Sequence, residues 1–390
     1  MKQKQSRSDR MWLYHFLLTA FILFLVMAIS GCSAANALGG TGRTASGNSQ
    51  VPLTAPESQN GTQPQAGSGI SAAGTGNAQA PAPSQPDPEP PVTSITISAA
   101  GDCTLGTDIH FGYDGTFPAA FDAAGNPALF LSGVQQAFAH DDLTLVNMEG
   151  PLTLANKREE KTFAFKGDPS YVEVLRQGSV EAASMANNHS YDYGEKAYWD
   201  TFSILADHGI TPFGYGDSQL IRVKGIPIGL IGINDLTGGA EAQLMTELAR
   251  MKQQGARLII VYFHWGTELA AYPDGDQRYL AHTAIDHGAH LVLGSHPHVL
   301  QGVETYKGRQ ICYSLGNFCF GGNSNPMDKD SMIFQQTFYF TKDMLTGSDS
   351  GSILPCRISS VSSYNDYRPV ILSGEEGARV MAKIRERSSF

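Results

Sequence analysis

Between residues 94 and 340 short apolar runs alternate with longer stretches of helical period. Residues 94–99 alternate as a strand, and further runs lie at 143–146, 182–185, 226–233, 258–263 and 291–293. Helical patterns occupy 195–208, 241–254 and 277–287, and the last two run into Gly255 and Gly288 as C-terminal stop signals. Strands alternating with helices predict an α/β fold. After Gly294 the pattern changes to hairpins, with Lys307-Gly308 as a turn and strands near 309–314 and 333–340, and residues 375–387 form a closing helix. No internal repeat is visible.

The first 91 residues are of another kind. Lys2, Lys4, Arg7 and Arg10 stand against a single Asp9, and an apolar-aromatic run, broken only by His15 and Thr19, follows from Met11 to Ile29. Such a segment directs the chain to a membrane with its start held inside. The run ends in Ile29-Ser30-Gly31-Cys32, which resembles a bacterial lipoprotein cleavage box, so Cys32 is the expected site of lipid attachment. The alternative is an uncleaved signal anchor, because about 19 apolar residues nearly suffice to cross a bilayer. Either way residues 1–32 are expected to leave the remainder on the extracytoplasmic face of a bacterial cell membrane. Residues 33–91 are rich in Gly, Ala, Ser, Thr, Pro, Gln and Asn. They cannot offset their ordering entropy and read as a tether with a reach on the order of 40 Å. The folded domain is expected at 92–390.

Composition narrows the partners. A chain of 390 residues with 42 % hydrophobic content buries a substantial core. Its formal net charge of -10 argues against nucleic acid, which calls for a basic face. Besides Cys32 there are Cys103, Cys312, Cys319 and Cys356. In an oxidising compartment these four allow three disulfide connectivities, and the sequence chooses none. No C-x-x-C pair is present, so a zinc–thiolate site is not expected.

In an α/β sheet ligands collect beyond the carboxyl ends of the strands. Here Gly101-Asp102 follows the first run and Asn147-Met148-Glu149 the second, while Asn187-Asn188-His189 follows the third. His264-Trp265-Gly266-Thr267-Glu268 follows the 258–263 run, and Ser295-His296-Pro297-His298 follows the 291–293 run. Taken singly, a Gly-Asp is more often a turn, an Asn-Asn-His a loop, and one histidine a satisfied core imidazole. His296 and His298 are stronger, because alternate residues of an extended segment point to one side. Five strand ends that all finish in carboxylate, amide or imidazole predict a divalent-metal site for manganese, zinc or iron. His110, His140, His208, His282, His287 and His290 lie outside these motifs and are read as structural. Cys103 is likewise read as a small buried residue.

The ordered motifs Ala100-Gly101-Asp102, Asn147-Met148-Glu149, Ala186 to His189 with Asp192 and Gly194, His264-Trp265-Gly266 with Glu268, Gly294 to Val299, and Tyr313-Ser314-Leu315-Gly316-Asn317-Phe318 resemble the CapA-type capsule-synthesis family over roughly residues 95–322. The family is similar in fold to calcineurin-like metallophosphoesterases, which implies a two-sheet α/β/β/α sandwich with a metal site. The resemblance implies Asp102, Glu149, Asn188, His264, His296 and His298 as metal ligands or their close neighbours. It implies His189 as proton donor or stabiliser of negative charge, and Asp192 and Glu268 beside it in the catalytic group. Asn147, Asn187 and Asn317 become substrate-facing or supporting groups. Two positions depart from the pattern. Metallophosphoesterases begin with Asp, one residue, then His, whereas this chain reads Asp102-Cys103-Thr104, and Glu149 stands where a bridging aspartate is expected.

The implied role is capsular polymer assembly, in the best known cases poly-gamma-glutamate. The expected activity is that of a metal-dependent hydrolase or transferase on an envelope polymer or phosphoester. The alternative is a non-catalytic, polymer-binding accessory subunit of a membrane-bound synthase, and a third reading is a purely structural envelope protein.

Overall fold

The computed structural model describes residues 90–389. The membrane-directed segment 1–32 with Cys32, and nearly all of the expected tether 33–91, lie outside the described residues. Among the described residues no helix is long and apolar enough to cross a membrane.

Two sheets carry the fold. In the first, the long strand β1 (Val92–Thr104) lies between two neighbours. On one side β2 (Leu143–Met148) and β3 (Ala182–Ser184) continue in parallel, and Thr211–Phe213 follows at the edge. In the second sheet β4 (Ile226–Asn234), β5 (Leu258–His264) and β6 (Leu291–Ser295) run parallel between the edge strand Gln219–Val223 and the hairpin of Val303–Tyr306 with Arg309–Cys312. All nine residues of β4 and all seven of β5 are buried. Parallel strands are covered on both faces, which is why these segments read as continuous apolar runs. Back in the first sheet, the short β7 (Asn317–Phe320) pairs in parallel with the end of β1, and β8 (Asp330–Thr341) runs antiparallel along its beginning.

The sheets face each other across one apolar layer. Ile95, Ile97, Leu143 and Leu145 of the first sheet pack there with Ile228, Leu230, Ile260 and Leu293 of the second. The outer face of the first sheet buries Val146, Met148 and Ala183 beneath Val172, Leu175 and helix α1 (Gly194–Asp207), which contributes Tyr198 and Leu205. The outer face of the second buries Ile231, Val261 and Val292 beneath α2 (Ala240–Gln253) and α3 (Gly275–Asp286). A capping box in which Asp274 and Gln277 exchange hydrogen bonds starts α3. The result is the α/β/β/α sandwich expected from the family resemblance. Helix α4 (Gly374–Arg387) adds Val380 and Ile384 to the inter-sheet layer.

Each expected strand and helix is present, with ends shifted by a few residues. The expected strand at 309–314 stops at Cys312, because Leu315 and Gly316 turn the chain into β7. Two glycines let backbones approach where the site forms. A Cβ on Gly101 would lie 1.8 Å from the Gly316 carbonyl oxygen, and one on Gly294 would lie 2.2 Å from that of Tyr313. Both contacts join strand ends that carry site residues, so any larger side chain there would push the site apart. The four cysteines in the described residues are buried free thiols.

Candidate metal centre

The first sheet supplies oxygen donors. Parallel register sets Asp102 on β1 opposite Asn147 on β2 and Asn317 on β7. Asn147 Nδ2 donates to Asp102 Oδ1 at 2.8 Å, and Asn187 Nδ2 donates to Asn147 Oδ1 at 3.1 Å. Glu149 emerges from β2 fully buried, and its Oε2 accepts from Thr104 Oγ1 at 3.3 Å. After β3 the chain makes a tight turn in which the His189 amide donates to Asn187 Oδ1 at 3.1 Å, leaving Asn188 half-buried toward the second sheet.

Imidazoles come from the second sheet. His264 ends β5 beside Ser295, and its Nε2 lies 2.8 Å from Asn188 Oδ1 and 3.7 Å from Glu149 Oε1. His298 Nε2 approaches the same Glu149 oxygen at 3.8 Å, while its Nδ1 lies 3.2 Å from Asp102 Oδ2 and 2.9 Å from Asn317 Oδ1. The His296 ring centroid is 4.8 Å from that of His264 and 5.9 Å from that of His298. The segment that carries the last two is not extended as expected. His296 at φ 100° and His298 at φ 58° both adopt left-handed backbone, so a tight turn around Pro297 brings the rings inward in place of strand alternation. Such conformations cost about 1–3 kcal/mol each and persist only where surroundings enforce them.

Among the described residues, buried side-chain atoms without a hydrogen-bond partner include Asp102 Oδ2, Glu149 Oε1 and His296 Nδ1, all in this cluster. Leaving a buried polar atom unpaired costs about 1–3 kcal/mol, and more for a charged group. Donor atoms of Asp102, Glu149 and His298 lie within 4.8 Å of one another, as do those of Glu268, His296 and His298. Carboxylate, amide oxygen and imidazole are the donors of zinc, manganese and iron, so the residues present fit a divalent cation.

The electrostatics agree. Burial, with the Asp102 carboxylate next to it, pushes Glu149 up to about 8. Burial opposes charge on His298, yet the Glu149 and Asp102 carboxylates outweigh it and raise that imidazole to about 10. Burial and then the neighbouring imidazoles hold His264 well below its ordinary value, and burial first lowers His296 to about 4. The two acids therefore draw positive charge inward while His264 and His296 stay neutral, the protonation state that metal ligation needs.

Beside this cluster His189 Nδ1 lies 2.7 Å from Asp192 Oδ2, and burial lowers its affinity for a proton against that carboxylate. Lys161 was not foreseen: its Nζ donates to Asp192 Oδ1 at 2.7 Å and to the Asn188 carbonyl at 2.9 Å. It sits in a charged loop with no strand end before it, so the strand-end rule passes over it. Glu268, expected among the catalytic groups, is exposed and shares its neighbourhood with His296 and His298. Cys103 is buried among apolar side chains and burial pushes its thiol up to about 12. Of the histidines read as structural, His282 pairs with Glu304 at 3.0 Å and His290 Nδ1 accepts from the Ile259 amide at 3.0 Å. His189, Glu268, His298 and Asn317 line a cleft of ≈ 790 Å³.

The chain matches the family described as "Bacterial capsule synthesis protein PGA_cap" over residues 96–322, more than half its length. All of the residues just described in the cluster fall within that segment. The chain is 30 % identical over 210 residues to the PGA biosynthesis protein CapA of Bacillus subtilis (strain 168), covering 48 % of this chain and 55 % of that protein. To the capsule biosynthesis protein CapA of Bacillus anthracis it is 29 % identical over 224 residues, covering 50 % and 54 %. A "Probable polyglutamine synthesis accessory protein" of Mycobacterium tuberculosis is 26 % identical over 209 residues, covering 45 % and 55 %. The chain thus spans about half the length of the curated relatives it matches. A crystal structure of a hypothetical protein from Thermus thermophilus superimposes with a TM-score of 0.43 at 14 % identity, over 67 % of this chain and 99 % of that one.

Proposed function

Because this chain belongs to the bacterial capsule synthesis protein family, we propose that it is a metal-dependent hydrolase or transferase of the cell envelope. Its substrate on this reading is an envelope polymer, such as poly-gamma-glutamate, or a phosphoester. The chain works at the extracytoplasmic membrane face, held by lipid on Cys32 and accompanied by a membrane-bound synthase. The observation that carries the reading is the convergence of orphaned Asp102 Oδ2, Glu149 Oε1 and His296 Nδ1 beside a cleft.

Asp102, Glu149, Asn188, His264, His296 and His298 would hold the cation. When bound, a divalent ion polarises a substrate oxygen and lowers the pKa of water. The chain's own residues have separate tasks. Asp192 orients His189 through Nδ1, which leaves Nε2 to hold or deliver a proton at the cleft. Lys161 holds the Asp192 carboxylate in its orienting position through their 2.7 Å contact. Asn317 donates to the His298 carbonyl at 3.2 Å and steadies that turn.

The test is turnover by the metal-supplemented protein on a panel of phosphomonoesters, phosphodiesters and gamma-glutamyl amides. His189→Asn should lower kcat about 10²–10⁴-fold with bound metal unchanged. A second reading, the non-catalytic accessory subunit, is supported by Thr104, which stands where the first motif of metallophosphoesterases has its histidine and whose Oγ1 donates to Glu149 Oε2 at 3.3 Å. Stoichiometric metal with no turnover on any member of the panel would favour that subunit over the enzyme.

A further inference from the structure

The cleft has two chemically distinct ends. Its floor carries His189, His298 and Asn317, an apolar run of phenyl rings lines one stretch of wall, and Glu268, Asn323, Ser324, Asp328 and Arg387 supply polar groups elsewhere in the lining. Phe163 is 50 % exposed and stacks on buried Phe165 with centroids 6.5 Å apart and planes 7° from parallel. Phe111, at 39 % exposure, extends that run outward at 5.9 Å from Phe163. Inward, the Phe165 ring lies 4.5 Å from the His189 imidazole, and on the opposite side Phe320 lies 5.2 Å from His298. Leu269 and Met327, 70 % and 100 % exposed, complete the mouth. Single exposed apolar residues are ordinary, but a contiguous set that lines one cleft marks a surface that something apolar covers.

Resting on the cation site of the preceding reading, we propose that the cleft takes an anionic ester or amide whose anionic end meets that site and whose adjoining segment is apolar. Along the phenyl run of Phe111, Phe163 and Phe165 a fully hydrophilic polymer segment meets no polar side chain with which to exchange its water. An alkyl or aryl segment gains from every methylene it buries there. The cavity volume of ≈ 790 Å³ matches that of sites for compact organic ligands.

The experiment measures binding of methyl, butyl and hexyl phosphate to the full-length protein by calorimetry, with Mn²⁺ and again with EDTA. Wild type, Phe163→Ser and Met327→Ser are compared in the same detergent, so partition into micelles cancels. Both side chains are exposed, and their replacement leaves the core intact. Affinity should rise by up to about fourfold per methylene, on the order of 100-fold from methyl to hexyl phosphate. Each variant should weaken hexyl phosphate by about tenfold and leave methyl phosphate unchanged. Mn²⁺-dependent binding with no chain-length gradient, or a gradient that neither variant alters, overturns the apolar segment and leaves the cation reading standing. A gradient that persists in EDTA and is reproduced by hexanol upholds the apolar wall and overturns the cation site.

Discussion

Two pairs of carboxyl groups sit at opposite ends of neighbouring parallel strands and face opposite fates. Asp102 and Glu149 stand at the carboxyl ends of β1 and β2, whereas Asp141 and Glu181 stand just before β2 and β3 and both bond Thr144, roughly 15 Å from Glu149 at the rise of a strand. Both ends push acids upward, chiefly by burial: Glu149 to about 8, Asp141 to about 6 and Glu181 to about 7. The difference lies in their partners. Asp141 Oδ2 accepts from Thr144 Oγ1 at 2.7 Å and Glu181 Oε2 from the Thr144 amide at 2.8 Å, so these acids serve strand ends in place of backbone bonds. Asp102 and Glu149 each keep a buried oxygen without a hydrogen bond, and imidazoles stand within ion-pair distance of both. A raised pKa alone does not mark a site; an orphaned oxygen beside neutral nitrogen donors does.

Elemental analysis gives the largest expected contrast. Wild-type protein should carry divalent metal in stoichiometric amount, and His298→Ala should carry almost none, because His298 belongs to both groups of converging donors. Glu181→Gln should keep its metal in full. Equal metal in all three proteins would erase the distinction between the two ends. A smaller effect is expected in thermal unfolding with chelator. Glu149 has its folded value raised from 4.5 to about 8, so the stability it contributes is present below pH 4.5 and is lost as pH rises through 8. At pH 9 Glu149→Gln removes a buried charge whose desolvation and repulsion by Asp102 outweigh its attraction to His298, and should stabilise the metal-free protein by about 1–3 kcal/mol. Added Mn²⁺ should reverse the order, raising the melting temperature of wild type and not of the variant. A variant less stable than wild type in chelator would show that the attraction between Glu149 and His298 outweighs the cost of burial.

The same contrast explains what the sequence made legible. Strand ends at Asp102, Glu149, His264 and His298 stood out because buried parallel strands read as apolar runs, so the first polar residue after each run marks one rim. What that pattern cannot carry is geometry across the chain. Lys161 belongs to the charged stretch 157–161, whose residues look solvated until Asp192 is seen 2.7 Å away. The left-handed turn at His296 and His298 is enforced by tertiary contacts, and the local sequence suggested an extended segment. The outer strands Gln219–Val223 and Ser352–Arg357 escaped notice because they are half-buried and their periodicity is diluted. Asp141 and Glu181 gave no signal, since one carboxylate before an apolar run looks like any polar boundary.

The smallest effect comes from that quiet end, and it isolates what burial alone does. The folded-state value of Glu181 is raised from 4.5 to about 7, so its contribution to stability is complete below pH 4.5 and falls away as pH rises through 7. Partial exposure admits solvent to this carboxyl, so the slope should be shallower than the one Glu149 imposes. Urea unfolding of wild type and Glu181→Gln from pH 4 to 8 should therefore show a decline that the variant flattens by only part. Neither curve should respond to Mn²⁺ in that difference, because the partner of Glu181 is a backbone amide and not an imidazole that could share an ion. If Mn²⁺ instead abolished the Glu181-dependent part of the decline, the two ends would be electrostatically joined, and orphaned oxygens would no longer separate a site from a strand end.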